Sequence, residues 1–196
     1  MAHREAVSWP HLYDETGIHT FEVLKDLGLK PENTLLDVGC GSLCSGRHFL
    51  AYLRAGNYHA VEPNTWLIDA VCERELGQDW PGLKEMHLYT FDDFMLSRTG
   101  HVFDFVLAHS IFTHATQAQV KTIMDEARRV MHPGSVFAAT YYYGSMDSNK
   151  PVWWSPAGVS YSHEFIERTA AECRLRLERL AIKHPVGHTW VVMRRV

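Results

Sequence analysis

Four places along the chain bring together residue types that can do chemistry. The first is Leu35-Leu36-Asp37-Val38-Gly39-Cys40-Gly41-Ser42, where an apolar run breaks into a Gly-x-Gly loop. Gly39 and Gly41 admit positive φ and let a ligand come close to the backbone. Asp37, just before the loop, disfavours a pyrophosphate and attracts an ammonium or sulfonium group. The second is Glu62, which ends the run His59-Ala60-Val61 and can accept from both hydroxyls of a ribose. The third is the acidic pair Asp92-Asp93, followed by Phe94. The fourth is Phe103-Asp104-Phe105-Val106-Leu107-Ala108, from which His109 and then His114 emerge. An imidazole titrates near neutrality, so either histidine could take up a proton.

For these groups to lie at one sheet edge, the apolar runs must be parallel strands joined by helices. Ile18, Phe21, Leu24 and Leu27 recur at helical spacing over 15–27, and Gly28 and Pro31 end that helix. A strand is expected over 34–38, then a helix over 45–54 with Phe49, Leu50 and Leu53 inward. A second strand starts at Asn57 and Tyr58, runs through 59–62 and stops at Pro63 and Asn64. The next helix, 65–76, carries Leu67, Ile68, Val71 and Cys72. A third strand is read over 86–91 and a fourth over 103–108. A helix over 117–131 presents Val120, Ile123, Met124, Ala127 and Val130 on one face. Pro133-Gly134 reads as the turn before a fifth strand, 136–142, and 144–160 as an ordered loop or short insertion containing Trp153-Trp154. Ser162 can cap a helix to about Cys173, and 175–183 with 189–195 form a closing antiparallel hairpin around Pro185 and Gly187.

The β-α alternation implies right-handed crossovers and an α/β, Rossmann-like, doubly wound sheet. Its ligand crevice lies at the carboxyl ends of the strands. A single domain over 1–196 is expected, with 1–30 as an N-terminal helical cover.

The net charge of −4 gives no electrostatic support for nucleic-acid or anionic-membrane binding. No apolar run approaches the roughly 20 residues that span a bilayer, and the first ten residues have no signal-peptide core. The cytoplasm is the expected compartment. Cys40, Cys44, Cys72 and Cys173 make no Cys-x-x-Cys pair, so buried thiols are expected rather than zinc or disulfides.

A Gly-x-Gly loop alone serves dinucleotides and S-adenosylmethionine alike. Dinucleotide loops usually carry a third small residue where this chain has Cys44. Together with Asp37, that disfavours a nicotinamide cofactor. In order and at suitable spacing, Leu35–Gly41, Val61-Glu62-Pro63-Asn64, Asp92-Asp93-Phe94 and Phe103–His114 resemble the class I S-adenosylmethionine-dependent methyltransferase family. The resemblance covers about 30–195 and implies a seven-stranded sheet of order 3-2-1-4-5-7-6, with strand seven antiparallel.

By position, the resemblance assigns Asp37, Gly39, Cys40 and Gly41 to the methionyl end of the cofactor and Glu62 to its ribose. Pro63 and Asn64 line the adenosine pocket, and Asp93 with Phe94, or Asp92 in place of Asp93, meets the adenine. His109 sits where relatives line the cofactor near the sulfonium. Ser42-Leu43-Cys44 is bulkier than the family pattern.

Methyl transfer is an in-line displacement in which the protein aligns the acceptor and removes its proton. His109 is the first candidate base and His114 the second. Metal ligation by this pair would need partners that the sequence does not show, so no metal is expected. Trp153, Trp154, His11 and Tyr13 could wall a pocket for a small organic acceptor, and no Asn-Pro-Pro-Tyr-like motif marks a nucleobase methylase. The alternatives are a non-catalytic S-adenosylmethionine-binding module and, less favoured, an NAD-dependent oxidoreductase.

Overall fold

A computed structural model describes residues 2–7, 10–153 and 158–196; Trp9 and Trp154 fall outside these. The strand order is β3-β2-β1-β4-β5-β8-β7, with a short β6 beside β5. The residues group by their packing into two compact units, Met1–Asp92 and Asp93–Val196.

In the first unit, β1 (Leu35–Val38), β2 (Tyr58–Val61) and β3 (His87–Tyr89) pair in parallel, with Asp37 opposite Ala60 and Ala60 opposite Leu88. All residues of β1 and β2 are buried, as a central strand covered on both faces requires. Helices α1 (Ala2–Glu5) and α2 (Tyr13–Asp26) precede β1. α3 (Gly46–Tyr52) joins β1 to β2; α4 (Trp66–Val71), a wide turn over Cys72–Leu76 and α5 (Trp80–Leu83) lead to β3.

Helix α2 corrects one reading. Ile18, expected inside, is half exposed at 50%. The buried face is Tyr13, Thr16, Gly17, Thr20, Val23 and Leu24. Small residues on that face let α2 approach the loop after β1: a Cβ on Gly17 would stand 2.2 Å from the Cys44 carbonyl oxygen. Gly17→Ala must push helix and loop apart. It should cost about 1–3 kcal/mol, the scale of overpacking, read as a lower urea midpoint at unchanged m-value. An unchanged midpoint would show that this approach is not tight in solution.

In the second unit, β4 (Phe103–Ala108) runs parallel to β5 (Met131–Tyr143), β8 (Thr189–Arg195) antiparallel to β5, and β7 (Leu175–Arg179) antiparallel to β8. The two-residue β6 (Ser160–Tyr161) pairs parallel to the end of β5. The expected strands six and seven are therefore β7 and β8, and the expected order is found with β6 added. α6 (Gln117–Arg129) buries Val120, Ile123, Met124 and Ala127 as its period dictates, and Thr116 and Gln119 close a capping box at its start. α7 (His163–Glu172) is capped by Ser162, which accepts from Phe165 N–H at 3.1 Å.

Pro133-Gly134 is a second correction. The chain does not turn there before a new strand: β5 already begins at Met131, and the pair forms an irregularity within it. Phe103 faces Met131 whereas Phe105 faces Val136. The Ser135 hydroxyl donates to the Phe103 carbonyl at 2.6 Å, which holds the bulged strand in the sheet. Among the described residues, no helix is long and apolar enough to cross a membrane.

Candidate active site

In the first unit the site is built where β1 and β2 end. Gly39 and Gly41 both have positive φ, 71° and 56°. The Gly39 N–H donates to the Val61 carbonyl at 2.8 Å, which carries the parallel pairing into the loop. Glu62 then ties the two strand ends together. One carboxylate oxygen accepts from the Gly41 N–H at 3.0 Å; the other accepts from the Asn64 N–H at 2.8 Å and from its side-chain amide at 3.0 Å. An ionised carboxylate has about four acceptor positions, so capacity remains for hydroxyl donors. Pro63 and Asn64 are exposed beyond the buried Glu62.

Asp37 is buried on β1, and Tyr58 donates its hydroxyl to it at 2.7 Å. Burial pushes its carboxyl up to about 7; the Tyr58 hydrogen bond opposes this, and repulsion from Glu62 adds to it. The loop thus rests on two buried carboxylates that repel each other. Burial drives the Cys40 thiol well above its ordinary range, with Asp37 and Glu62 adding repulsion, so Cys40 is a neutral thiol and not a nucleophile.

The N-terminal segment packs against this loop. Val7 occupies the space that a Gly41 side chain would need, 2.8 Å from the position of a Cβ. Tyr13 is fully buried and donates to the Ser42 carbonyl at 2.5 Å, so it supports the loop from behind instead of walling a pocket. Arg4 and Arg47 lie over the Tyr13 ring, 4.5 and 5.0 Å from its centre, and both pair with Glu75 and Asp14. The Arg4 hydrogen bond is the chief cause holding the Glu75 carboxyl at about 2. His11 is exposed.

Asp92 ends the first unit and is exposed. In the second unit, Asp93 accepts from the Met95 N–H at 3.1 Å and pairs with Arg98 at 2.8 Å. Phe94, at φ 58°, stacks on Trp153 with ring centres 6.0 Å apart.

His109 leaves the carboxyl end of β4, followed by Ser110 at φ 60°. The Ser110 N–H donates to the Thr140 hydroxyl of β5 at 2.7 Å, which fixes where His109 stands. Its Nε2 is 2.9 Å from Nε2 of His184, and its ring lies 5.7 Å from the rings of His188 and Trp190. His188 Nδ1 is 3.2 Å from the Thr140 hydroxyl oxygen. Burial holds the His188 imidazole down at about 3, with His184 and His114 adding repulsion, so it is neutral at physiological pH. His114 lies in the turn after β4, its ring 5.5 Å from Trp153.

His184 and His188 were not among the residues that the sequence reading singled out. Their signal is His184-Pro-Val-Gly-His188 at a turn. The Gly187 N–H donates to the His184 carbonyl at 3.0 Å, which folds the two rings into a stack 4.3 Å apart. Of the three tyrosines ending β5, Tyr141 is buried and bonded to His163 Nδ1 at 2.5 Å, Tyr142 meets the His188 ring edge-on, and Tyr143 is exposed over His163. They divide between faces, as strand alternation requires.

Residues 36–137, just over half of the chain, match the family model described as a methyltransferase domain. Among solved structures, the chain is similar to DesVI of Streptomyces venezuelae (16% identity, TM-score 0.68, covering 94% of this chain and 92% of that one). It is also similar to CalS10, an amino pentose methyltransferase of Micromonospora echinaspora solved with S-adenosylmethionine (14%, 0.68, 94% and 92%). A third is the sugar N-methyltransferase KedS8 of Streptoalloteichus (17%, 0.66, 94% and 88%). At such identities the likeness is one of fold.

Proposed function

The chain belongs to the methyltransferase-domain family, and from that premise we propose that it methylates an oxygen or nitrogen of a small organic acceptor. The methyl donor is S-adenosylmethionine, which when bound supplies an activated methyl group on a positively charged sulfur. One observation carries the reading: two buried carboxylates, Asp37 and Glu62, end adjoining parallel strands beside a two-glycine loop. A second carboxylate is the charge that acts on Asp37, so a cationic ligand relieves a repulsion that a pyrophosphate would worsen. The donor set fits this cofactor.

In this reading Asp37 and the backbone of Gly39, Cys40 and Gly41 hold the methionyl end. Glu62 accepts the ribose hydroxyls while it keeps the loop in place, and Pro63 and Asn64 border the adenosine. Asp93 with Phe94, or Asp92 in place of Asp93, meets the adenine; Asp93 accepts one hydrogen bond on each oxygen and keeps capacity for an amino donor. His109 takes the acceptor proton, and His114 is the reserve candidate. A small acceptor is supported by the sugar methyltransferases among the similar structures. The net charge of −4 favours neither nucleic acid nor a membrane surface as partner. The four cysteines are free, which fits a reducing cytoplasm.

Calorimetry with S-adenosylmethionine, its demethylated product and NAD tests the reading. Binding of the first two and not the third is expected, with product formed from amino or hydroxylated acceptors. Binding of NAD alone overturns it, and cofactor binding without any product across such a screen would assign the chain to a non-catalytic module. His109→Gln should lower turnover by about 10²–10⁴-fold, the range for a lost general base, at nearly constant cofactor affinity. Full activity in that variant removes His109 from proton transfer.

A further inference from the structure

We propose that His109, His184 and His188 form a binding site for a divalent transition metal ion, with Zn2+ the ion that the donors suit best. Each offers one ring nitrogen, and the three lie within 4.8 Å of one another. No carboxylate or thiolate belongs to the group. An all-imidazole set suits zinc and its borderline neighbours rather than magnesium or calcium. Three histidines with a fourth position left open is also the pattern of catalytic rather than structural zinc.

The spacing agrees. Nitrogens about 2.1 Å from a shared ion, at angles between octahedral and tetrahedral, stand roughly 3.0–3.4 Å apart. The His109–His184 pair is at 2.9 Å already. His188 stacks on His184 with ring centres 4.3 Å apart, and the ring nitrogens of all three lie within 4.8 Å of one another, so capture must turn the stacked rings to draw the widest pair together.

The surroundings are built for fixed rings. His184 and His188 are 3% and 6% exposed, on either side of the turn that the Gly187 N–H closes. The Thr140 hydroxyl stands 3.2 Å from His188 Nδ1, where an outer partner can orient a ligand ring and leave Nε2 to the ion. Trp190 lies against His109 and His184, and the Tyr142 ring edge against His188. One contact opposes capture. The Val186 N–H donates to His184 Nδ1 at 3.2 Å, which places the ring proton on Nε2, facing His109. Capture must therefore move that proton to Nδ1 and give up a long N–H···N bond in exchange for metal–nitrogen bonds.

With three neutral ligands the bound ion keeps its full charge, so its open position favours an oxygen donor. Resting on the methyltransferase reading, that donor is a hydroxyl or carboxylate of the acceptor; His109 takes the proton in the metal-free chain and serves as a ligand in the metal-loaded one.

The test uses full-length protein stripped with a chelator and titrated with Zn2+ by calorimetry and with Co2+ by visible absorption. One equivalent of each should bind, Co2+ with the intense visible bands of a four-coordinate, nitrogen-rich site. The double variant His184→Gln/His188→Gln should bind at least about 100-fold more weakly, more than the loss of an outer-shell partner costs. His87→Gln, at an exposed histidine of β3, should bind like the parent. Circular dichroism checks that each variant folds. Equal uptake by parent and double variant overturns the site, as does a weak, six-coordinate Co2+ spectrum of the parent, a result that stands even if the double variant fails to fold. S-adenosylmethionine titrated separately keeps the two proposals apart. Cofactor binding without metal uptake sinks only this site, and metal uptake without cofactor binding sinks only the methyltransferase reading.

Discussion

Asp37→Asn should make the ligand-free chain more stable above pH 7 and weaken its grip on S-adenosylmethionine. The folded carboxyl sits at about 7 because it is buried beside Glu62, whereas an unfolded aspartate titrates near about 3.9. Between those values the folded chain binds more protons than the unfolded one, so this group's contribution to stability falls as pH rises and is lowest above about 7. Asparagine has no charge to desolvate and can still accept the Tyr58 hydroxyl. The gain should therefore be small near pH 4 and on the order of 2 kcal/mol at pH 8, about 4–8 °C for a chain of this size. Cofactor affinity should fall at least about tenfold, the equivalent of one lost charge contact of about 1.4 kcal/mol. In the parent, affinity should rise with pH up to about 7 and then level off, because a cationic ligand favours the ionised form. Melting curves at pH 5 and 8, paired with calorimetry, read both effects. A variant less stable than the parent at pH 8 and unchanged in affinity would remove Asp37 from the cofactor site.

Glu62→Ala should damage fold and binding together. The substitution removes the acceptor of the Gly41 and Asn64 N–H groups and of the Asn64 amide. Gly41 is buried, and an orphaned buried donor costs about 1–3 kcal/mol. Together with the lost hydrogen bonds to a charge, a destabilisation of roughly 3 kcal/mol is expected. Affinity should drop by a further 1–3 kcal/mol, roughly 5- to 150-fold, if the ribose is held here. Glu62→Gln separates the two effects. It fills the same volume and keeps one acceptor oxygen, which facing Asn64 retains the N–H and amide hydrogen bonds, so part of the stability should return while affinity stays low for want of a charged acceptor. A dissociation constant equal to the parent's in both variants would mean that Glu62 only staples the loop to β2.

Where these two carboxylates stand was legible before any fold, because strand ends are set locally. Each stands at the end of an apolar run, and strand ends in a doubly wound sheet face the ligand crevice. What each does besides was not legible. Glu62 reaches Gly41 only because β1 and β2 pair in the register that sets Val38 beside Val61. Asp37 titrates near neutrality only because the paired strands bury it, with Glu62 close enough to repel it, against the opposing hydrogen bond from Tyr58. The two misreadings have the same origin. Helical spacing pointed to Ile18, yet the face that packs was chosen by how closely α2 must approach the Cys44 carbonyl, and only small residues permit that approach. Pro133-Gly134 looks like a turn from its own dihedral preferences. Pairing with β4 carries the chain past it as a bulge.

By itself, then, the amino-acid sequence determined the alternation of strands and helices, the two-glycine loop and the carboxylates at its edges. These follow from periodicity and backbone preference, which act over a few residues. The tertiary structure alone decided which histidines keep company with His109. His184 and His188 come from the β7–β8 connection and stand beside it because β8 pairs antiparallel with β5 while β5 pairs parallel with β4. That register is set by the fit of whole strands against one another, which no local window of sequence encodes.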